Sequence, residues 1–364
     1  MSAQSRQPVD LVARILAERL REPEPSSELR TALSATDNDW DEIVGQASEN
    51  YVLAALAAAV RDLGLAGSLE PELYDFLAAV HAANAERNLK LRDQLAEVVA
   101  TLNGIGIEPV LLKGAVRLVD GLYPDPGWRM MRDLDLLVPE AKLDETVEGL
   151  RKVGYAPHRP PATNHTAWRQ HNYPGLACPG GVAVIEIHTE LFSSERRRRL
   201  LRGAGVLRAA RCVEFDGVVA RIPSLEHQMR HLIAHCQISD WYRSGGKSQL
   251  RDLLEAAALD VWSPERVAWR AVCAAFADAG YRGPLIVFLL RLEGAGFSPV
   301  PKVAKIGPLA RLARRNLSHG SGPTRLDVDW WAALVRDLVL DPEMRRRVFR
   351  RSAEACLQRR HPPT

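Results

Sequence analysis

Asp133 and Asp135 are separated by one residue in the run Arg132-Asp-Leu-Asp-Leu-Leu-Val138. Alternate residues of a strand face the same side, so this spacing aims both carboxylates at one point. Their repulsion is relieved by a cation between them, and paired hard oxygen donors suit Mg²⁺ held jointly with a substrate phosphate. Glu186, in Val184-Ile-Glu-Ile-His188, supplies a third carboxylate if its strand neighbours that of Asp133, and His188 falls on the same face. Lys113-Gly114 follows the apolar Val110-Leu-Leu112, where a strand gives way to a helix. There lysine offers an ammonium group, glycine admits close backbone approach, and a helix N-terminus attracts anions. Arg129 and Arg132 flank the aspartates and can offset further phosphate charge. An isolated Asp-x-Asp pair is common at polar strand ends. The order strand, Lys-Gly, helix, loop, arginine, Asp-x-Asp and then a glutamate-bearing strand is what points to phosphate chemistry.

The elements that must position these groups can be read from hydrophobic periodicity. Helices are predicted through the first hundred residues. Leu89, Leu91, Leu95, Val98, Val99 and Leu102 mark one long amphipathic helix over 84–102, ending at Gly104 and Gly106. Strands are predicted over 108–112, 133–138 and 182–191, with helices over 115–122 and along Leu143, Val147, Leu150 and Val153. Residues 157–181 read as a long loop containing His165, Trp168, His171 and Tyr173, a candidate acceptor contact. A hairpin over 212–222 turns at Asp216-Gly217. Ser224 is predicted to cap a helix reaching about Cys236, and Ser263-Pro264 to start another.

The stretch from Val110-Leu-Leu-Lys-Gly-Ala115 through Leu122-Tyr-Pro-Asp-Pro-Gly-Trp-Arg129 to Arg132-Asp-Leu-Asp-Leu-Leu-Val138 resembles the uncharacterised nucleotidyltransferase family of the DNA polymerase β-like superfamily. Glu86-Arg-Asn88 and Glu186-Ile-His188 are similar to that family's pattern too. The resemblance is specific over about residues 84–190. It implies an α+β fold, a small mixed sheet with flanking helices, and transfer of a nucleoside monophosphate from an NTP with release of pyrophosphate. Asp133, Asp135 and Glu186 would be the catalytic metal ligands, with Lys113, Gly114, Arg129 and Arg132 on the nucleotide. Two Mg²⁺ or Mn²⁺ ions, about 3.5–4 Å apart, would serve an in-line attack, with Glu186 as ligand or general base. Where the superfamily usually has Gly-Ser or Gly-Gly, this sequence has Gly114-Ala115, which leaves Lys113 and backbone amides to contact phosphate.

The domain reading is a helical region at 1–88, a nucleotidyltransferase core at 89–222 and a helical domain at 223–364. The acceptor is expected to be a small molecule or peptide. The alternatives are a toxin-like transferase acting on tRNA or protein and a non-catalytic nucleotide-binding module. Composition limits the choice only a little: 48 basic and 45 acidic residues nearly cancel, giving +3. Arg196–Arg199 and the arginines from Arg345 to Arg360 read as solvated faces, or as a surface for an acidic partner. His231 and His235 have zinc-pair spacing but lack the glutamate of a His-Glu-x-x-His site, which favours packing or a pocket wall. Asp252, in Leu250-Arg-Asp-Leu-Leu254, resembles a recurrent helical feature of the family, and an i,i+4 surface contact explains it equally. Five scattered cysteines without a Cys-x-x-Cys pair favour a reducing compartment. With a polar N-terminus and apolar runs too short for a bilayer, the expected location is cytoplasmic, away from membrane.

Overall fold

Local capping starts the first helices. Ser26 Oγ accepts from the Leu29 amide at 3.1 Å and the Asp39 carboxylate from Glu42 at 3.0 Å, each satisfying a donor that the first turn leaves free. The computed structural model describes residues 8–35, 38–158, 172–239, 249–299 and 301–304. Its N-terminal helices are α1 (Pro8–Arg21), α2 (Ser27–Leu33), α3 (Trp40–Glu49), α4 (Leu53–Asp62) and α5 (Pro71–Asn103). Helix α5 begins earlier than the predicted 84–102. Leu77 is the one buried residue before Asn88, so the first half of α5 carries almost no apolar period. At its other end Gly106 takes the positive φ of 74° that turns the chain toward the sheet.

A mixed seven-stranded sheet follows, with order β3-β4-β5-β2-β1-β7-β6. Its strands are β1 (Val110–Leu112), β2 (Asp133–Leu137), β3 (Ala156–Pro157), β4 (Leu176–Ala177), β5 (Val184–His188), β6 (Arg211–Phe215) and β7 (Val218–Ile222). The sequence predicted a loop throughout 157–181, yet β3 and β4 pair there and extend one sheet edge, because two-residue strands carry no readable alternation. The central strands β1 and β2 are antiparallel, whereas β2 runs parallel to β5 and β1 parallel to β7. Asp216 and Gly217 turn the β6–β7 hairpin at φ of 48° and 79°, the left-handed pair such a tight turn requires. Short helices α6 (Gly114–Arg117), α8 (Glu195–Arg198) and α9 (Gly203–Ala209), and the longer α7 (Leu143–Lys152), connect the strands.

Helices return in α10 (Leu225–Ala234), α11 (Leu250–Val261), α12 (Trp269–Asp278) and α13 (Arg282–Gly294). Ser224 caps α10 as predicted, accepting from the His227 amide. Ser263 does not start a helix: its hydroxyl closes a turn onto Glu265, and α12 begins only at Trp269.

Strand alternation sorts the sheet between two cores. Leu111, Leu134, Leu136, Ile185 and Ile187 face one core with α5 residues such as Leu95 and Val99. Val110, Leu112 and Leu137 face the other, which also takes Leu16, Leu56, Leu254 and Phe288 from helices at both ends of the described chain. The aspartates project on this second side. No helix among the described residues is long and apolar enough to cross a membrane.

Candidate active site

Register brings the acidic groups together. Leu112 pairs with Asp135 across β1–β2, and Asp135 with Glu186 across β2–β5. Asp133, Asp135, Glu186 and His188 therefore share one face, because paired residues of neighbouring strands point the same way. Asp135 is 1% exposed, whereas the Glu186 side chain keeps 34% of its surface open.

Asp135 is the hub. Its Oδ1 accepts from Lys113 Nζ at 2.7 Å and lies 2.8 Å from His188 Nε2. Its Oδ2 is buried with no hydrogen-bond partner, and His188 Nδ1 is likewise unpartnered. Burial works to raise the Asp135 carboxyl, but Lys113 and then His188 outweigh it and hold it well below the usual carboxylate range. Asp133 goes the opposite way: burial, then the charges of Asp135 and Glu186, push it up. Burial works to lower the Lys113 ammonium, and Asp135, Glu186 and Asp133 together raise it. Hydrogen bonds to Asp135 and Glu186 likewise raise His188 against its burial.

One ligand atom from each of Asp135, Glu186 and His188 lies within 4.8 Å of the others, a possible metal-holding group among the described residues. Asp133 is not in this group; the orphaned buried Oδ2 of Asp135 and the partly open Glu186 carboxylate beside it fit a divalent cation. Sequence reasoning placed His188 on this face but assigned it no role; its alternation with Glu186 was the available signal.

Lys113 has a φ of 48°, unusual for a residue with a Cβ, and directly precedes α6. Gly114 is needed for space: a Cβ there would fall 2.6 Å from Arg129 Nη1 and 2.9 Å from Met131 Sδ. Polar residues of α5 hold the backbone of this loop. Asn88 Nδ2 donates to Pro126 and Arg129 carbonyls at 2.6 and 2.7 Å, and Arg87 Nη1 to that of Met131 at 2.6 Å.

Lys113, Gly114, Asp133 and Glu186 open onto a cavity of about 760 Å³ that is also lined by His231, Arg251 and Glu255 among others, while Asp135 and His188 lie behind its lining. Arg129 also lines it, with its guanidinium bound by Glu255 at 2.8–2.9 Å. Arg132 is exposed, lies 5.9 Å from the Tyr51 ring and donates to its hydroxyl at 3.4 Å. Arg251 lies over the same ring at 5.3 Å. Asp252 is buried rather than a surface contact, and pairs with Arg251 at 3.1 Å. Glu255, Arg251 and Tyr51 were not found from sequence. Glu255 carried a signal, an acid one helical turn after Asp252 within the mainly apolar run Leu253–Leu259; Tyr51 carried none.

His231 and His235 line the cavity with rings 6.0 Å apart, and neither belongs to the metal-holding group. Burial, then Lys113, lowers both, His235 to about 3, so both are neutral. Tyr173 is taken up by Arg151, whose Nη2 donates to its hydroxyl at 3.0 Å. His165, Trp168, His171 and the arginines from Arg345 to Arg360 lie outside the described residues. Arg197 is buried and Arg196 stacks 4.9 Å from the Tyr281 ring centre, so part of the arginine run packs inward rather than forming a solvated face.

The family model described as "Uncharacterised nucleotidyltransferase" matches residues 36–292, a span that includes every group named above in the cavity. No curated protein matches the chain.

Proposed function

Because the chain belongs to that uncharacterised nucleotidyltransferase family, we propose that it transfers an NMP from an NTP to a small-molecule or peptide acceptor, releasing pyrophosphate. The observation that carries this reading is the register that sets Asp135 beside Glu186, two positions from Asp133 and 2.7 Å from Lys113, against a cavity lined by Lys113, Asp133 and Glu186. Asp133, Asp135 and Glu186 would hold a divalent cation, Mg²⁺ or Mn²⁺, which supplies charge at the α-phosphate and lowers the pKa of an acceptor hydroxyl. Lys113 Nζ binds phosphate oxygens, and the Gly114 backbone allows the donor close approach. Arg132, exposed at the cavity, reaches the outer phosphates. Arg129 shapes the wall under the restraint of Glu255. The half-open Glu186 carboxylate is placed to hold the acceptor's proton as its oxygen attacks.

A small acceptor is favoured over RNA because Arg196–Arg199 are absent from the cavity lining among the described residues. The buried His231 and the partly buried His235, both neutral, then form part of the acceptor wall.

The test is incubation with each α-labelled NTP, Mg²⁺ and a cell extract, comparing wild type with the double variant Asp133→Asn/Asp135→Asn. Label should enter an acceptor with wild type alone. Equal transfer by both proteins would remove this site from the reaction.

A further inference from the structure

Asp135 Oδ1 has two partners, Lys113 Nζ at 2.7 Å and His188 Nε2 at 2.8 Å, while Oδ2 is buried and has none. The same ammonium feels Glu186 and Asp133. Lys113 is thus a counter-ion inside the cluster to which the proposed reading assigns a divalent cation, bonded directly to its most buried carboxylate, Asp135. The Lys113 backbone takes a positive φ of 48°, a conformation that is costly for a residue with a Cβ.

Two cations on one carboxylate that is 1% exposed repel each other strongly, since little water screens them. We propose that Lys113 competes with the divalent cation for the carboxylate cluster and is drawn off by the polyphosphate of an incoming nucleotide. The cluster would then bind its cation tightly only together with NTP. This inference rests on the proposed function, because it takes the cation to belong to Asp133, Asp135 and Glu186. It adds that Lys113 weakens the cation site until the donor arrives. A lysine serving phosphate alone would leave the affinity for the bare cation unchanged.

The experiment is a titration with Mn²⁺ alone, no nucleotide present, following the free ion by electron paramagnetic resonance. Wild type is compared with Lys113→Met, Lys113→Gly and Lys113→Arg. The glycine variant accepts the positive φ and so guards against misfolding of the turn. The Met and Gly variants should bind one Mn²⁺ about tenfold or more tightly than wild type, a coupling of ordinary size for two ligands sharing a site. The Arg variant, which keeps the charge, should not. Unchanged or weaker binding by both neutral variants overturns the competition. A separate outcome tests the underlying reading: adding Asp133→Asn/Asp135→Asn to Lys113→Gly should abolish the tight Mn²⁺ site. If it does not, the ion lies elsewhere, and the carboxylate assignment falls along with the inference.

Discussion

Glu255→Gln removes a buried charge without changing the shape of the side chain. Its carboxylate is 4% exposed and is met by Arg129, 12% exposed, at 2.8 Å and by Arg117, 3% exposed, at 3.4 Å. Arg117 retains Asp120, so Arg129 takes the larger loss. Breaking a buried pair by removing one partner costs about 3–5 kcal/mol, and the amide keeps one acceptor, which favours the low end near 3 kcal/mol. At roughly 2–4 °C per kcal/mol for a domain of this class, the apparent Tm should fall by about 6–12 °C at neutral pH. The pH dependence gives an independent check. Burial works to raise the Glu255 carboxyl, but Arg129 and Arg117 outweigh it and hold it below the ordinary value of 4.5. The ion pair's contribution is therefore complete above 4.5 and fades as pH falls through the lowered folded-state value. Calorimetry across a pH series should show the wild-type margin over Glu255→Gln shrinking on acidification. An equal Tm at neutral pH, or a margin that stays constant well below 4.5, would refute the view that Glu255 anchors this wall.

Gly114→Ala forces a Cβ to within 2.6 Å of Arg129 Nη1, and that guanidinium is tethered to Glu255 and cannot swing freely aside. The expected cost is about 1–3 kcal/mol with weaker nucleotide binding by calorimetric titration; wild-type Tm and affinity together would contradict it. His235→Gln should flatten the acid side of the stability curve. Below about 6.5 the unfolded chain binds a proton that the folded His235 refuses until about 3, so wild type loses stability as pH falls through that window. A Tm profile of the same slope in wild type and variant would show that His235 does not titrate as its burial requires.

What the sequence made legible was local. Asp133 to Val138 reads as a strand because its apolar residues alternate with the two aspartates, and Asp216-Gly217 reads as a turn because it supplies two left-handed residues. The pairing of Asp135 with Glu186 was a condition that sequence could state but not meet, since it depends on β5 lying beside β2. Glu255 is 126 residues from Arg129 and only folding makes them partners. Ser263-Pro264 had the form of a helix start, but its hydroxyl is satisfied by a two-residue turn instead. Motifs that act within a few residues are readable, and contacts set by sheet order or by helices closing over the sheet are not.

One core joins Leu16 and Leu56 to Leu254 and Phe288, and Asn50 Oδ1 accepts from the Leu250 amide 200 residues later. During synthesis at roughly 5–20 residues per second, the early helices wait about 10–40 s for the segment that covers their apolar faces. The sheet can assemble in that interval, but one wall of its cavity cannot. The nascent protein therefore completes the wall of this cavity late, after a period in which the uncovered apolar faces are open to aggregation.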